Sequence, residues 1–329
     1  MEELTFGPEP IVFEHKGHIL FNYCFNLKFY SLNMSTPEQK EAILRIFDDY
    51  VYAYGSRMNW TVNPIIGRWK KLNGNVDNYM TPHDWLMAEP AENGYSFLYH
   101  GGKKRKDSSD ISFMAMGKPW YGVSRHNLST LSCRFPLRDV LCGAVDLPAL
   151  MRQWCSLLKP HHAHGGYFAG DWYEYFDELP TLHAVRTDAL MRYPGLQFEY
   201  VSEGHYNEKY QSGLYDGPRC ADWLVALSDH FLEQLGGLDA VTEKMKPCPV
   251  LPYPGGAVLQ AGDAPSMGRD GDPESLPDYM RLGRVIEPVR AKNLHYVLYI
   301  PDPTKSARIR NAQELTDKWC TRFSGMDVE

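Results

Sequence analysis

A chain of 329 residues with 43% hydrophobic and 23% charged residues has an ordinary globular composition, long enough for one large domain or two average ones with a sizeable core. The net charge of −7 and pI of about 6.0 leave no basic surplus, which argues against a nucleic-acid binder and fits a basic protein partner. No apolar run approaches the ~18 residues of a membrane span, the first ten residues lack the basic and apolar regions of a secretory signal, and the seven scattered cysteines contain no Cys-x-x-Cys pair. These features predict a cytoplasmic protein with reduced thiols, no membrane contact and no structural zinc.

Along the chain, Ile19–Tyr30 alternates Ile19, Phe21, Tyr23, Phe25, Leu27 and Phe29 with Asn22, Cys24, Asn26 and Lys28. That period of two predicts a strand with one face in a core and the other toward solvent or a thinner layer. Thr36, Pro37 and Gln39 then form a capping-box signature for a helix that runs to Tyr54 and closes at Gly55. Tyr95–His100 and Ile111–Met116 predict a hairpin, and the intervening Lys103-Lys104-Arg105-Lys106 reads as a solvated tip rather than an anion contact. Leu128–Phe135 is extended, Asp146 caps a helix through Lys159, and Leu179–Tyr193 reads as another helical unit stopped by Pro194-Gly195.

Trp223, Leu224, Leu227, Phe231 and Leu235 suggest a helix over 223–235. Residues 247–277 are dense in Pro and Gly and read as loop, broken by a strand at Ala257–Gln260. A late strand at Tyr296–Ile300 and a helix from Asn311 to Phe323 complete the reading. The fold class is α/β (α+β), with mostly antiparallel or mixed sheets packed with helices. Two lobes are expected, 1–120 and 121–329, with a duplicated strand–helix unit as one way to build them.

Three constellations bear on chemistry. His162 and His164 would share a face of an extended segment, as metal-binding His-x-His pairs do, with His183, Glu199 or His205 as third ligands for a metal-dependent hydrolase. The simpler reading of His161–His164 is a helix-terminal stretch with Gly165-Gly166 as a turn. Asp263, Asp270, Asp272 and Glu274 lack the spacing of a calcium loop and read as solvated. The third constellation is Asp171, Trp172, Tyr173, Glu174, Tyr175, Phe176, Asp177 and Glu178. Unpaired carboxylates resist burial and large rings resist exposure, so a surface that meets a basic partner suits both. The alternative is that Trp172, Tyr173 and Phe176 pack inward.

Other residues form an ordered set. Pro136-Leu-Arg-Asp139, His164-Gly-Gly-Tyr167 and Tyr193-Pro-Gly-Leu196 precede Trp223–Gly237, Gly255–Gly268, Pro277-Asp-Tyr279 and Pro288-Val-Arg290. The set resembles the bacterial type VI secretion immunity family over roughly residues 15–292. One departure is Met267-Gly268-Arg269-Asp270, where relatives tend to have Gly-Asp. The resemblance implies a non-enzymatic antidote without cofactor, which blocks the active site or substrate surface of one secreted Rhs-type toxin domain. It implies no shared catalytic residues. A cytoplasmic antidote calls for a toxin acting in the cytosol, such as a nuclease or an ADP-ribosyltransferase.

Overall fold

The computed structural model describes residues 12–15, 17–118, 126–171, 180–198, 213–269, 271–292, 294, 300–301, 309–310 and 312–324. β1 (Val12–His15) and β2 (His18–Ser31) form an antiparallel pair, followed by α1 (Pro37–Tyr54). Short strands β3 (Trp60–Val62) and β4 (Lys70–Lys71) lead to the expected hairpin, β5 (Tyr95–His100) and β6 (Ser112–Gly117). β7 (Ser129–Phe135), α2 (Leu137–Leu141), α3 (Leu147–Leu158) and β8 (His162–Asp171) come next. Then follow α4 (Pro180–Arg192), β9 (Gln197–Phe198), β10 (Leu224–Ser228), α5 (Asp229–Gln234) and α6 (Leu238–Met245). β11 (Val250–Tyr253), β12 (Gly256–Gln260), α7 (Pro277–Ile286), β13 (Ile300–Pro301), β14 (Ile309–Arg310) and α8 (Ala312–Thr321) finish the described chain.

Among the described residues twelve strands share one sheet, ordered β11-β12-β10-β8-β2-β7-β6-β5-β3-β4, with β1 on β2 and β9 on β8. Every ladder in it is antiparallel except β8 with β9. The fold is therefore mixed α and β on a large antiparallel sheet. β2, from the first third of the chain, pairs with both β7 and β8. The expected join near residue 120 falls between β6 and β7, which are themselves hydrogen-bonded neighbours.

The alternation of β2 decides the layers. Phe29 reaches Trp154 of α3 at 6.1 Å between ring centroids, while Phe47 of α1 packs at 5.3 Å against Phe113 of β6. Each such ring stabilises the fold by roughly 1.5–3 kcal/mol on full burial. The other face is also covered: Asn22, Asn26 and Lys28 are buried. Of the two sequence expectations for that face, solvent is ruled out, and a buried polar layer covers it.

Local signals account for the elements that form. Thr36 accepts from Gln39 N at 3.3 Å, but Gln39 does not complete the capping box; its side chain donates to Leu158 O at 2.7 Å and ties α1 to α3. Asp146 caps α3 by accepting from Ala149 N at 3.0 Å. The helix expected over 223–235 is a correction. Its first half is strand β10, held between β8 and β12 and buried on both faces, and only Asp229–Gln234 is helical. Residues read as loop before 257 include strand β11, and of the late strand only Ile300 falls within the described residues. The seven cysteines are free thiols and all but Cys142 are buried. Among the described residues no helix is long and apolar enough to cross a membrane.

Candidate functional site

Strand β8 carries two of the sequence features, one at each end. At its start, His162 and His164 point to the same face opposite Tyr30 and Lys28, with ring centroids 5.5 Å apart. His162 Nε2 lies 2.8 Å from Leu214 O and His161 Nε2 lies 2.8 Å from Tyr215 O. A carbonyl only accepts, so each of these nitrogens carries the proton and leaves its ring's lone pair on Nδ1. Burial first, then the neighbouring Arg219 and Lys28, pushes His164 down to about 3, and burial likewise lowers His162. Both rings are neutral.

Glu199 and His205 lie outside the described residues, as does the side chain of His183. Among the described residues no three His, Cys, Asp or Glu side chains gather as a metal site. The helix-terminal reading of the cluster is corrected as well, since Gly165-Gly166 lie within β8 and make no turn. A Cβ on Gly166 would fall 2.0 Å from Asp222 Oδ1, so glycine there permits a close approach.

That approach builds the site sequence reasoning missed. Asn26, Lys28, His164, Gln197, Arg219 and Asp222 line a small recess of about 20 Å³ on the polar face of the sheet. The volume holds about one water and no organic substrate. Asp222 accepts from Trp223 N at 2.7 Å, and burial raises its carboxyl to about 7. The Arg219 guanidinium donates to Phe198 O at 2.9 Å and lies 4.8 Å from the Trp319 ring, tying β9 and α8 to this layer. The only sequence signal was the polar set Asn22, Asn26 and Lys28 on an otherwise strong strand.

At the other end, Asp171 closes β8 opposite Phe21. Trp172, Tyr173, Glu174, Tyr175, Asp177 and Glu178 lie outside the described residues, and the chain resumes at Pro180 with α4. The basic hairpin tip meets the root of this segment. Ser108 Oγ donates to Gly170 O at 2.9 Å, Ser108 N to Ile19 O at 2.6 Å, and Asp107 lies 3.1 Å from His18 Nδ1. The 101–110 loop is thus folded back on β2 and β8, with Asp107, Ser108 and Ser109 buried, rather than wholly solvated.

The remaining sequence landmarks are structural. Asp139 accepts from Tyr54 OH at 3.1 Å and lies 3.6 Å from Arg57. Gly195 N donates to Met267 O at 2.8 Å, and a Cβ on Gly195 would fall 2.0 Å from Ser266 O. Tyr279 OH accepts from Ser266 N at 3.1 Å, and Arg290 pairs in two-pronged fashion with Glu287 at 2.8 and 3.1 Å. The Gly255–Gly268 loop, the Pro194-Gly195 stop and α7 therefore hold one another in place.

Known proteins share this architecture. The chain is similar in fold to the Pseudomonas aeruginosa T6SS protein PA0821, with a TM-score of 0.78 and 21% identity over 96% of this chain and 88% of that one. No curated protein matches it. The family model TsiV, described as type VI immunity for VRR-NUC, matches residues 42–323, from α1 through α8. The chain belongs to this family of type VI immunity proteins.

Proposed function

We propose that the protein neutralises a VRR-NUC nuclease toxin of a type VI secretion system by tight one-to-one binding that covers the toxin's active site or DNA-binding surface. The family match over residues 42–323 carries this reading. The net charge of −7 supports it, because a nuclease surface that holds phosphates is basic and an acidic antidote is attracted to it. A nuclease finds its DNA in the cytoplasm, so the antidote acts there, by occlusion rather than by catalysis and without a cofactor. Inhibition of this kind needs nanomolar affinity or better, about 12 kcal/mol.

The proposed contact is Asp171 with Trp172, Tyr173, Glu174, Tyr175, Asp177 and Glu178, whose rings supply area and whose carboxylates supply steering. Purified toxin domain titrated with this protein should lose its DNA cleavage at one molar equivalent. Undiminished cleavage at large excess would remove the antidote reading. Trp172→Ala or Tyr175→Ala should weaken the complex by about 2 kcal/mol or more. Wild-type affinity in both variants would discard this segment as the contact.

A further inference from the structure

The outward face of α1 presents Glu41, Arg45, Asp48 and Tyr52 at helical spacing, and all four are exposed. Tyr52 is 95% exposed, on a helix that buries Phe47, Tyr50 and Tyr54. The segment 83–89 lies beside this face. His83 Nε2 lies 2.6 Å from Asp48 Oδ1, and Lys40 Nζ donates to Glu89 O. Tied to α1 at both ends, the segment runs antiparallel to the helix, its two ties roughly 12 Å apart along it. Between the ties the 3-10 turn Leu86–Ala88 carries Met87, 42% exposed, and Tyr52 stands one helical turn beyond Asp48. Five of the eight large apolar side chains exposed among the described residues fall between 52 and 87: Tyr52, Ile65, Tyr79, Met80 and Met87. Exposed apolar surface is thus concentrated in this part of the molecule rather than scattered, which marks a surface that meets a partner.

The charge around these side chains selects the partner. Residues 72–102 hold Asp77, Asp84, Glu89 and Glu92 and no Lys or Arg. Glu41 and Asp48 add two more carboxylates from α1. The cations of the helix are Arg45 and Lys40, and Lys40 is buried and turned to Glu89 O. The acidic region ends at Lys70, whose ammonium lies 5.1 Å from the centroid of the Tyr79 ring. Tyrosine and methionine set among carboxylates suit a basic protein surface: the apolar groups supply contact area and the carboxylates steer. The same charge disfavours other occupants. A second copy of this chain would set carboxylate against carboxylate, and a nucleic acid would bring phosphates to them.

We propose that the outward face of α1 and the adjoining segment 83–92 form a docking surface for the basic, phosphate-holding side of the cognate toxin domain, with Tyr52 and Met87 as its apolar anchors. A nuclease surface built to hold DNA carries the clustered Lys and Arg that this face complements. The proposal rests on the antidote reading and deepens it by assigning a surface to the steering charge. None of its residues lies within 171–178, so the two contacts are tested by different variants.

The test follows association and dissociation of the purified toxin domain with the full-length protein at low and high salt. The wild type is compared with Tyr52→Ala, with the pair Glu41→Lys and Glu92→Lys, and with a control pair, Glu233→Lys and Glu274→Lys. The control makes the same change of net charge on α5 and on the 3-10 turn Pro273–Ser275. Every replaced side chain is exposed, and unchanged unfolding midpoints confirm intact folds. Tyr52→Ala should weaken binding roughly tenfold or more, through faster dissociation. The Glu41 and Glu92 pair should slow association roughly tenfold at low salt and lose most of that effect at high salt, whereas the control pair should slow it no more than about twofold. Wild-type affinity in Tyr52→Ala, or equal association rates for the two charge pairs, would overturn the docking surface and leave the antidote reading standing. Free protein that sediments as a dimer, and as a monomer in Tyr52→Ala, would also overturn it, because the face would then belong to a second copy. No binding by the wild type would overturn the antidote reading and this inference with it.

Discussion

Asp222 shows what the polar layer costs and how it can be measured. Burial raises its carboxyl from 3.8 to about 7 in the folded protein, and Gly166 provides the space it occupies. Between pH 4 and 7 the folded state holds a proton that the unfolded state releases, so this group makes stability rise as pH falls and fall as pH rises. The full difference is about 4 kcal/mol and is felt above pH 7. His100 and His164, held near 3, act in the opposite sense: the unfolded chain protonates below pH 6.5 and the folded one does not, so they remove stability in acid. Both histidines remain in Asp222→Asn, so subtracting the variant's stability from the wild type's isolates the carboxyl. That difference, from urea midpoints, should decline by about 4 kcal/mol from pH 4 to above pH 7. Parallel curves would mean that Asp222 does not titrate as described. Gly166→Ala should destabilise at every pH by about 1–3 kcal/mol, because the added methyl meets the carboxylate.

At the scale of elements, α3 shows local chemistry at both ends. Asp146→Ala removes the cap on Ala149 N and should lower stability by about 1 kcal/mol. Lys159 terminates the helix at φ 43, a left-handed conformation that glycine adopts without strain, so Lys159→Gly should gain a few tenths to about 1 kcal/mol. Denaturant midpoints that fail to move in opposite directions would refute this account. Signals of this local kind made α1, α3, β2, β7 and the β5–β6 hairpin legible in sequence. Trp223–Leu235 misled because a continuous apolar run satisfies helical spacing as well as a doubly buried strand; the neighbours β8 and β12 decide the matter. β11 was hidden by Pro252, which an edge strand tolerates. The polar layer was not legible, because residues 26–30, 164–168, 197–198 and 219–222 meet only through tertiary structure. Of the acidic–aromatic segment, the structure describes only the backbone root at Asp171.

For the whole molecule, the consequence of the strand order is mutual dependence of the two chain halves. β7 stands between β2 and β6, pairing with the first from Phe25↔Phe135 to Ser31↔Ser129 and with the second from Ser112↔Arg134 to Met116↔Thr130. A fragment 1–120 would lose this common neighbour and leave long ladder edges of β2 and β6 unpaired. It would also strip Phe29 of Trp154. A fragment 121–329 would lose β2, to which β8 pairs over ten residues from Phe21↔Asp171 to Tyr30↔His162. Unpaired edges and exposed rings favour association over independent folding. Expressed separately, the halves 1–120 and 121–329 should therefore show no cooperative thermal unfolding, and expressed together they should copurify as a complex that unfolds as one unit. A cooperative melt of fragment 1–120 alone would show that the halves are autonomous domains despite the shared sheet.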